Sequence, residues 1–155
     1  MPVPFFPKGN LVPVLFLSKF YEGENMIVKT GIDIIEISRI KESIEDTDGK
    51  FCERVYTEKE IEYCESKKVQ KYQHYAARFA AKEAVFKAIS PFLKSKYDIE
   101  WKQIEILNDE NGRPYVQILN KDVEIENIDI SISHCREYAT ASVVVTMGTE
   151  LMVKK

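Results

Sequence analysis

The chain has 155 residues, of which 45% are hydrophobic and 30% charged, a profile typical of one globular domain that excludes a largely disordered chain. Its 22 Lys and Arg against 25 Asp and Glu give a net charge of −3, so overall charge does not predict attraction to nucleic acid. No apolar stretch is long enough to span a bilayer. We expect neither a nucleic-acid nor a membrane partner.

The three cysteines, Cys52, Cys64 and Cys135, are odd in number and form no CxxC pair. A disulfide framework or a cysteine zinc site is therefore not expected. We interpret all three as small buried hydrophobic side chains in a reducing compartment, the cytoplasm.

The first 25 residues differ in composition from the rest, because they hold four of the six prolines. Proline removes backbone donors and interrupts regular periodicity. We predict that residues 1–25 are a proline-rich leader outside the fold and that the domain covers 26–155, beginning at Met26.

The first half of the domain predicts one strand followed by helices. Residues 26–35 are rich in β-branched side chains, which favours a buried strand, and isoleucines recur at helical spacing over 36–44. Thr57 and Glu60 have the spacing of a capping box that would begin a helix over 58–66. The longest predicted helix covers 75–89 and ends before Pro91.

Small side chains form a seam along this longest helix, which would let another element approach its backbone closely. The seam consists of Ala77, Ala80, Ala81, Ala84 and Ala88.

The second half predicts β-strands. Asn111-Gly112 separates strand-like runs at 101–107 and 115–119, as in a hairpin, and residues 128–132 alternate apolar and polar side chains. A further strand is predicted over 139–146. Strands and helices do not alternate regularly, so the prediction is an α+β fold in which an antiparallel sheet packs against a long Ala-rich helix in a single domain.

Four residues are candidates for chemistry, each with an ordinary structural alternative. Asp33 lies in an apolar strand and is either a solvent-facing acid or a metal ligand. Glu83 and Lys87 are four residues apart on the long helix, so they form either a surface ion pair or the edge of a cleft that holds Mg²⁺ and phosphate. His134 follows a strand and either makes one backbone hydrogen bond or contacts a nucleotide.

Taken together and in order, several segments resemble the holo-[acyl-carrier-protein] synthases of the 4′-phosphopantetheinyl transferase superfamily. These are Gly31–Ile40, Phe51–Thr57, Ala77–Ala88, Asn111–Tyr115 and Ile130–His134 followed by Tyr138-Ala139. The resemblance covers about residues 26–147, and its most diagnostic piece is Ala-Arg-Phe-Ala-Ala-Lys-Glu-Ala within the long helix.

The resemblance implies a reaction: 4′-phosphopantetheine passes from coenzyme A to a serine of apo-acyl-carrier protein, releasing adenosine 3′,5′-bisphosphate. It also implies Mg²⁺, or Mn²⁺, as cofactor, and a homotrimer with active sites between subunits.

Site roles follow from the same resemblance. Asp33 and Glu83 match the metal-binding acids, and Glu83 and Lys87 are the implied catalytic residues. The positions matching coenzyme A contacts are Lys82, Lys87, Gly112, Arg113, Pro114, Ser133 and His134. Arg39 and Arg54 match the face that meets the carrier protein.

Three questions stay open at the level of sequence. The base that deprotonates the serine is either Glu83 or a water on the metal. The chain is either the enzyme or a catalytically inactive module of the same fold in a larger synthase. An unrelated Mg²⁺-dependent nucleotide-binding protein is a third possibility, for which no motif is present.

Overall fold

A computed structural model describes residues 26–95, 97–123 and 125–148. The predicted leader, residues 1–25, and the final seven residues of the predicted domain, 149–155, lie outside the described residues.

Within the described residues, the secondary structure consists of one strand, then four helices, then four strands. In chain order the elements are β1 (Met26–Glu36), α1 (Ile37–Asp46), α2 (Lys50–Val55), α3 (Glu58–Ser66), α4 (Lys71–Ile89), β2 (Ile104–Asn108), β3 (Pro114–Ile118), β4 (Asn127–His134) and β5 (Tyr138–Gly148). Short 3₁₀ turns cover Lys68–Gln70, Ser90–Phe92 and Trp101–Gln103. Within the described ranges, no helix is both long and apolar enough to cross a membrane.

The strands form two antiparallel sheets, one with the order β1-β5-β4 and one that pairs β2 with β3. The long helix α4 packs against β1 and β5. Alternate residues of β5, including Val143 and Val145, are almost fully buried beneath it. This arrangement confirms the predicted α+β fold.

The alanine seam of α4 meets β1 at Gly31, as the small side chains predicted. A Cβ atom on Gly31 would overlap the carbonyl oxygen of Ala84 and come within 3.0 Å of the backbone nitrogen of Ala88. Since a backbone carbonyl cannot move aside as a side chain can, only glycine allows this approach. The seam therefore sets how close the helix lies to the strand that carries Asp33.

The capping box at the start of α3 is present as predicted. The Glu60 backbone N–H donates to Thr57 Oγ1, and Glu60 Oε2 accepts from the Thr57 backbone N–H at 2.8 Å. Glu60 Oε1 also accepts from the backbone N–H of Ile106 at 3.0 Å. One carboxylate therefore caps α3 and attaches it to β2.

Some boundaries differ from the predictions. Helix α4 begins four residues earlier than predicted, at Lys71, and residues 101–103 form a 3₁₀ turn that precedes β2. Helix α2 was not predicted, because its six residues are too few to show a helical period.

The turn at Asn111-Gly112 is longer than a two-residue hairpin. Residues 109–113 form the connection, and only Gly112 in it has a positive φ, +79°. The side chain of Asp109 stabilises this loop, because its Oδ1 accepts from the backbone N–H groups of Asn111 and Arg113 at 2.9 and 2.8 Å.

The cysteine prediction is right for two residues and wrong for one. Cys52 and Cys64 are buried, and burial raises the pKa of Cys64 to about 12. Cys135 is exposed, because it lies in the short turn that joins β4 to β5.

Candidate active site

The side chain of Asp33 lies on the face of β1 that packs against α4. Strand side chains alternate between faces, and Gly31, two residues earlier, is the point of contact with the helix. The Asp33 side chain is 16% exposed, whereas its neighbours Ile32 and Ile34 are 67% and 64% exposed on the opposite face. The alternative of a fully solvent-facing acid therefore does not hold.

Asp33 and Lys87 form an ion pair across the contact between β1 and α4. Lys87 Nζ lies 2.8 Å from Asp33 Oδ1 and donates to the carbonyl oxygen of Ile32 at 3.0 Å. The Lys87 side chain is 48% exposed, so the ammonium is accessible to a ligand. Lys87 is thus paired with Asp33 on the neighbouring strand. The alternative of a surface ion pair would have joined it to Glu83 on its own helix.

Glu83 completes a group of two acids and one base. Burial raises the pKa of Glu83, the Asp33 carboxylate raises it further, and Lys87 opposes the rise. The structure thus brings together Asp33, Glu83 and Lys87, which the sequence separates by up to 54 residues.

The group has the donors that a hard divalent cation prefers. Two carboxylates of like charge, those of Asp33 and Glu83, lie close enough to interact, and oxygen is the ligand of Mg²⁺ in proteins. Within the described part of the chain, no cluster of three or more His, Cys, Asp and Glu residues could hold a metal ion. A cation at this place would therefore take its remaining ligands from substrate and water, as Mg²⁺ commonly does.

Lys82, the immediate neighbour of Glu83, has a different position from the one predicted. Its side chain is fully buried, and its Nζ lies 2.8 Å from Glu60 Oε2. It also donates to the carbonyl oxygens of Trp101, at 2.9 Å, and Ile104. Three partners use all three ammonium protons, and this geometry opposes the predicted contact with coenzyme A. Burial lowers the pKa of Lys82, against the effect of the Glu60 carboxylate.

His134 lies at the end of β4 on the same sheet face as Asp33. It pairs with Ala139 of β5, which pairs in turn with Ile35, two residues beyond Asp33 on β1. Two strand spacings and a two-residue offset place the two residues about 12 Å apart. Ser133 precedes His134, so its side chain lies on the opposite face, and the structure does not bring its hydroxyl together with His134.

His134 is exposed, and its ring lies against that of His74 on α4, with centroids 5.8 Å apart. Burial, and to a lesser degree the nearby Arg78, His134 and Lys67, lower the pKa of His74 to about 4. The His74 ring is therefore neutral at neutral pH.

The predicted nucleotide-lining residues Gly112, Arg113 and Pro114 lie in the connection between β2 and β3. The Gly112 carbonyl accepts from Asn108 Nδ2 at 2.9 Å, and Asn108 Oδ1 accepts from Arg78 Nη2 at 2.6 Å. Arg78 is 4% exposed. Sequence reasoning did not assign it a role, although an arginine within an alanine seam was a visible exception.

The predicted docking residues are both exposed. Arg39 lies on α1 and Arg54 in the last turn of α2, and these two helices pack against each other.

Comparison with known proteins agrees with this fold. The family model of the 4′-phosphopantetheinyl transferase superfamily matches residues 29–143. The holo-[acyl-carrier-protein] synthase of Ruminiclostridium cellulolyticum is 49% identical over 124 residues, which cover 76% of this chain and 91% of that protein.

Two solved structures are similar in fold. The Bacillus anthracis holo-(acyl-carrier-protein) synthase, in complex with CoA (3′,5′-ADP), has a TM-score of 0.67 and 36% identity, covering 79% of this chain and 98% of that one. The Helicobacter pylori holo-[acyl-carrier-protein] synthase, in complex with coenzyme A, has a TM-score of 0.65 and 32% identity, covering 75% and 98%. The chain belongs to the 4′-phosphopantetheinyl transferase superfamily.

Proposed function

We propose that the chain transfers 4′-phosphopantetheine from coenzyme A to a serine of apo-acyl-carrier protein, yielding holo-acyl-carrier protein and adenosine 3′,5′-bisphosphate. The observation that carries this proposal is the group formed by Asp33, Glu83 and Lys87 where β1 meets α4. Relatives of up to 49% identity that bear the name holo-[acyl-carrier-protein] synthase support it.

The group of Asp33, Glu83 and Lys87 suits a reaction that breaks a pyrophosphate bond. Negative charge grows on the bridging oxygen and on the transferred phosphoryl group. Lys87 is the exposed cation of the group, and rotation away from Asp33 would bring its ammonium to a phosphate oxygen. Its role is to hold the pyrophosphate and to offset the growing charge.

Asp33 and Glu83 are the residues that would hold Mg²⁺, or Mn²⁺. When bound, such a cation supplies charge neutralisation at the pyrophosphate oxygens. Glu83 is also our candidate for the group that takes the serine proton, because it is a carboxylate that lies beside Asp33 and Lys87.

The remaining coenzyme contacts are proposed at the end of β4 and at the turn between β2 and β3. His134 at the end of β4 and the turn of Gly112, Arg113 and Pro114 would contact the nucleotide portion of coenzyme A. For Ser133 we propose a backbone contact, since its hydroxyl lies on the other face of β4.

The test mixes the protein with apo-carrier protein, coenzyme A and Mg²⁺ and weighs the carrier by mass spectrometry. We expect the carrier to gain the mass of one phosphopantetheine group. Coenzyme A binding without any mass gain would favour the inactive module. The absence of both binding and transfer would contradict the enzyme and the inactive module alike.

Variants of the two acids test the site assignment. Asp33→Asn and Glu83→Gln are each expected to lower transfer at least about a hundredfold, because either change removes a cation ligand. Glu62→Gln, an exposed acid on α3, is the matched control and should leave transfer unchanged. Full activity of Asp33→Asn or Glu83→Gln after chelator treatment would contradict the cation site.

We also propose a homotrimer assembled through the outer face of the three-stranded sheet. Its exposed apolar residues are Met26, Val28, Ile32, Ile34, Tyr138 and Val144. An apolar face of this kind is typical of a contact surface. Ile32 and Ile34 flank Asp33 in sequence, so copies meeting on this face would place a subunit contact on the other side of the strand that carries Asp33.

The oligomer is tested by light scattering after size-exclusion chromatography. Val28→Asp and Val144→Asp are expected to convert trimers to monomers, because each buries a charge in the contact. Val69→Asp is the control, since Val69 is 95% exposed in the 3₁₀ turn Lys68–Gln70. A wild-type monomer with full activity would contradict this proposal.

Arg39 and Arg54 are proposed to meet an acidic carrier protein in the cytoplasm. Arg39→Glu should raise the KM for the carrier and leave the KM for coenzyme A unchanged, with an effect that shrinks at high salt. A KM for the carrier that did not change at low salt would exclude Arg39 from the contact.

A further inference from the structure

The ring of Tyr63, on α3, lies between two side chains of α4. The guanidinium of Arg78 lies 3.9 Å from the Tyr63 ring centroid, a cation–π distance. The ring of His74 lies 5.5 Å away in an edge-to-face arrangement. His74 and Arg78 are four residues apart, so they share one face of α4 and both contact the same ring.

His74 and Arg78 each make a second contact, with a different segment of the chain. The His74 ring contacts that of His134 at the end of β4, with ring centroids 5.8 Å apart and ring planes at 68°. Arg78 donates a 2.6 Å hydrogen bond to Asn108 Oδ1, and Asn108 Nδ2 donates in turn to the Gly112 carbonyl. The end of β4 and the Gly112 turn are therefore both connected to Tyr63, the first through His74 and the second through Arg78 and Asn108.

We propose that Tyr63 is a positioning residue that holds His134 and the Gly112 turn in the arrangement that binds coenzyme A. The inference rests on the proposed function, since it assigns these two segments to the coenzyme. Tyr63 itself contacts neither segment in the interactions described; it acts through His74 and Arg78.

The charges around the ring favour a packing role. Arg78 is almost fully buried, so the π-face of Tyr63 replaces part of its lost hydration. Lys67 Nζ lies 4.4 Å from the same ring centroid. His74 is neutral at neutral pH because burial lowers its pKa, so it supports His134 through ring contact without adding a like charge beside it.

The experiment compares Tyr63→Leu with Tyr63→Phe in steady-state transfer and in calorimetric binding of coenzyme A. Tyr63→Leu removes the ring and is expected to raise the KM and the Kd for coenzyme A about tenfold while kcat stays within about twofold. Tyr63→Phe retains the ring and should restore both constants. The KM for the carrier protein should not change.

Tyr72→Leu is the matched control for loss of a tyrosine that has no part in this arrangement. Tyr72 lies on α4 and its hydroxyl donates to Glu45 at 2.9 Å, so the variant should lose stability without losing coenzyme affinity. All measurements are made well below each variant's melting temperature, checked by circular dichroism.

Wild-type affinity in Tyr63→Leu, an equal loss in Tyr72→Leu, or a fall in kcat at constant KM would overturn the inference. If the wild type made no holo-carrier protein but Tyr63→Leu still weakened coenzyme binding, the proposed reaction would fail and the positioning role would stand.

Discussion

Lys87 donates a 2.8 Å hydrogen bond to the carboxylate of Asp33, 54 residues away in the sequence. The pair joins α4 to β1. It brings the Lys87 ammonium against the Asp33 carboxylate, which we propose as a ligand of Mg²⁺. The ammonium and a divalent ion therefore compete for the same carboxylate.

This competition predicts that Lys87→Met binds Mn²⁺ more tightly than the wild type in the absence of coenzyme A. An exposed ion pair contributes up to about 1 kcal/mol, so the affinity should rise by up to about fivefold while transfer is largely lost. Titration followed by electron paramagnetic resonance measures the affinity. Lys87→Arg keeps the charge and should behave like the wild type, and an unchanged affinity in Lys87→Met would contradict the competition.

The close contact of β1 with α4 predicts that Gly31→Ala is severely destabilising. The new methyl group would overlap the Ala84 carbonyl oxygen, and overpacking against backbone should cost about 3 kcal/mol or more. Gly49→Ala is the control, because Gly49 has a φ of +82° and no atom within 4 Å of a built Cβ, so conformational strain alone should cost about 1 kcal/mol. Urea unfolding compares the two, and equal losses would mean that the helix can move away from the strand.

The buried pair of Lys82 and Glu60 predicts a loss of stability, not of coenzyme affinity, in Lys82→Met. Removing one partner leaves a buried carboxylate unpaired and should cost about 3–5 kcal/mol. The double variant with Glu60→Gln should recover part of that loss.

Lys59→Met provides the comparison for Lys82→Met, because Lys59 is 65% exposed in its ion pair with Glu105 and should contribute less than about 1 kcal/mol. A stable Lys82→Met protein with weakened coenzyme A binding would instead support the contact that the sequence predicted.

His74 predicts a defined pH dependence of stability. Its pKa is about 4 in the folded chain against an ordinary value of 6.5. As the pH falls from 6.5 to 4, the unfolded chain binds a proton that the folded chain does not, so stability falls over this window. His74→Phe should remove this contribution, and the difference in melting temperature between variant and wild type should grow in the variant's favour towards pH 4. Parallel curves between pH 4 and 7 would exclude this role for His74.

Features that depend on neighbours in sequence were predictable. The capping box of Thr57 and Glu60 and the alternation along β4 are as predicted, because each involves residues only two or three positions apart. The alanine seam predicted a close contact, and the strand that makes it is β1. Helix α2 escaped prediction because six residues show no period.

The sequence by itself determined the residue types of the site, the elements that carry them and the resemblance that links them. Only the tertiary structure decided where the side chains point. Lys82 and Glu83 are adjacent, yet successive residues on a helix are turned by about 100°. Lys82 therefore points into the contact with α3 and β2 and is buried in an ion pair, while Glu83 lies close enough to Asp33 for their charges to interact. Which neighbours fill those two directions depends on the packing of distant segments, and no local pattern contains that information.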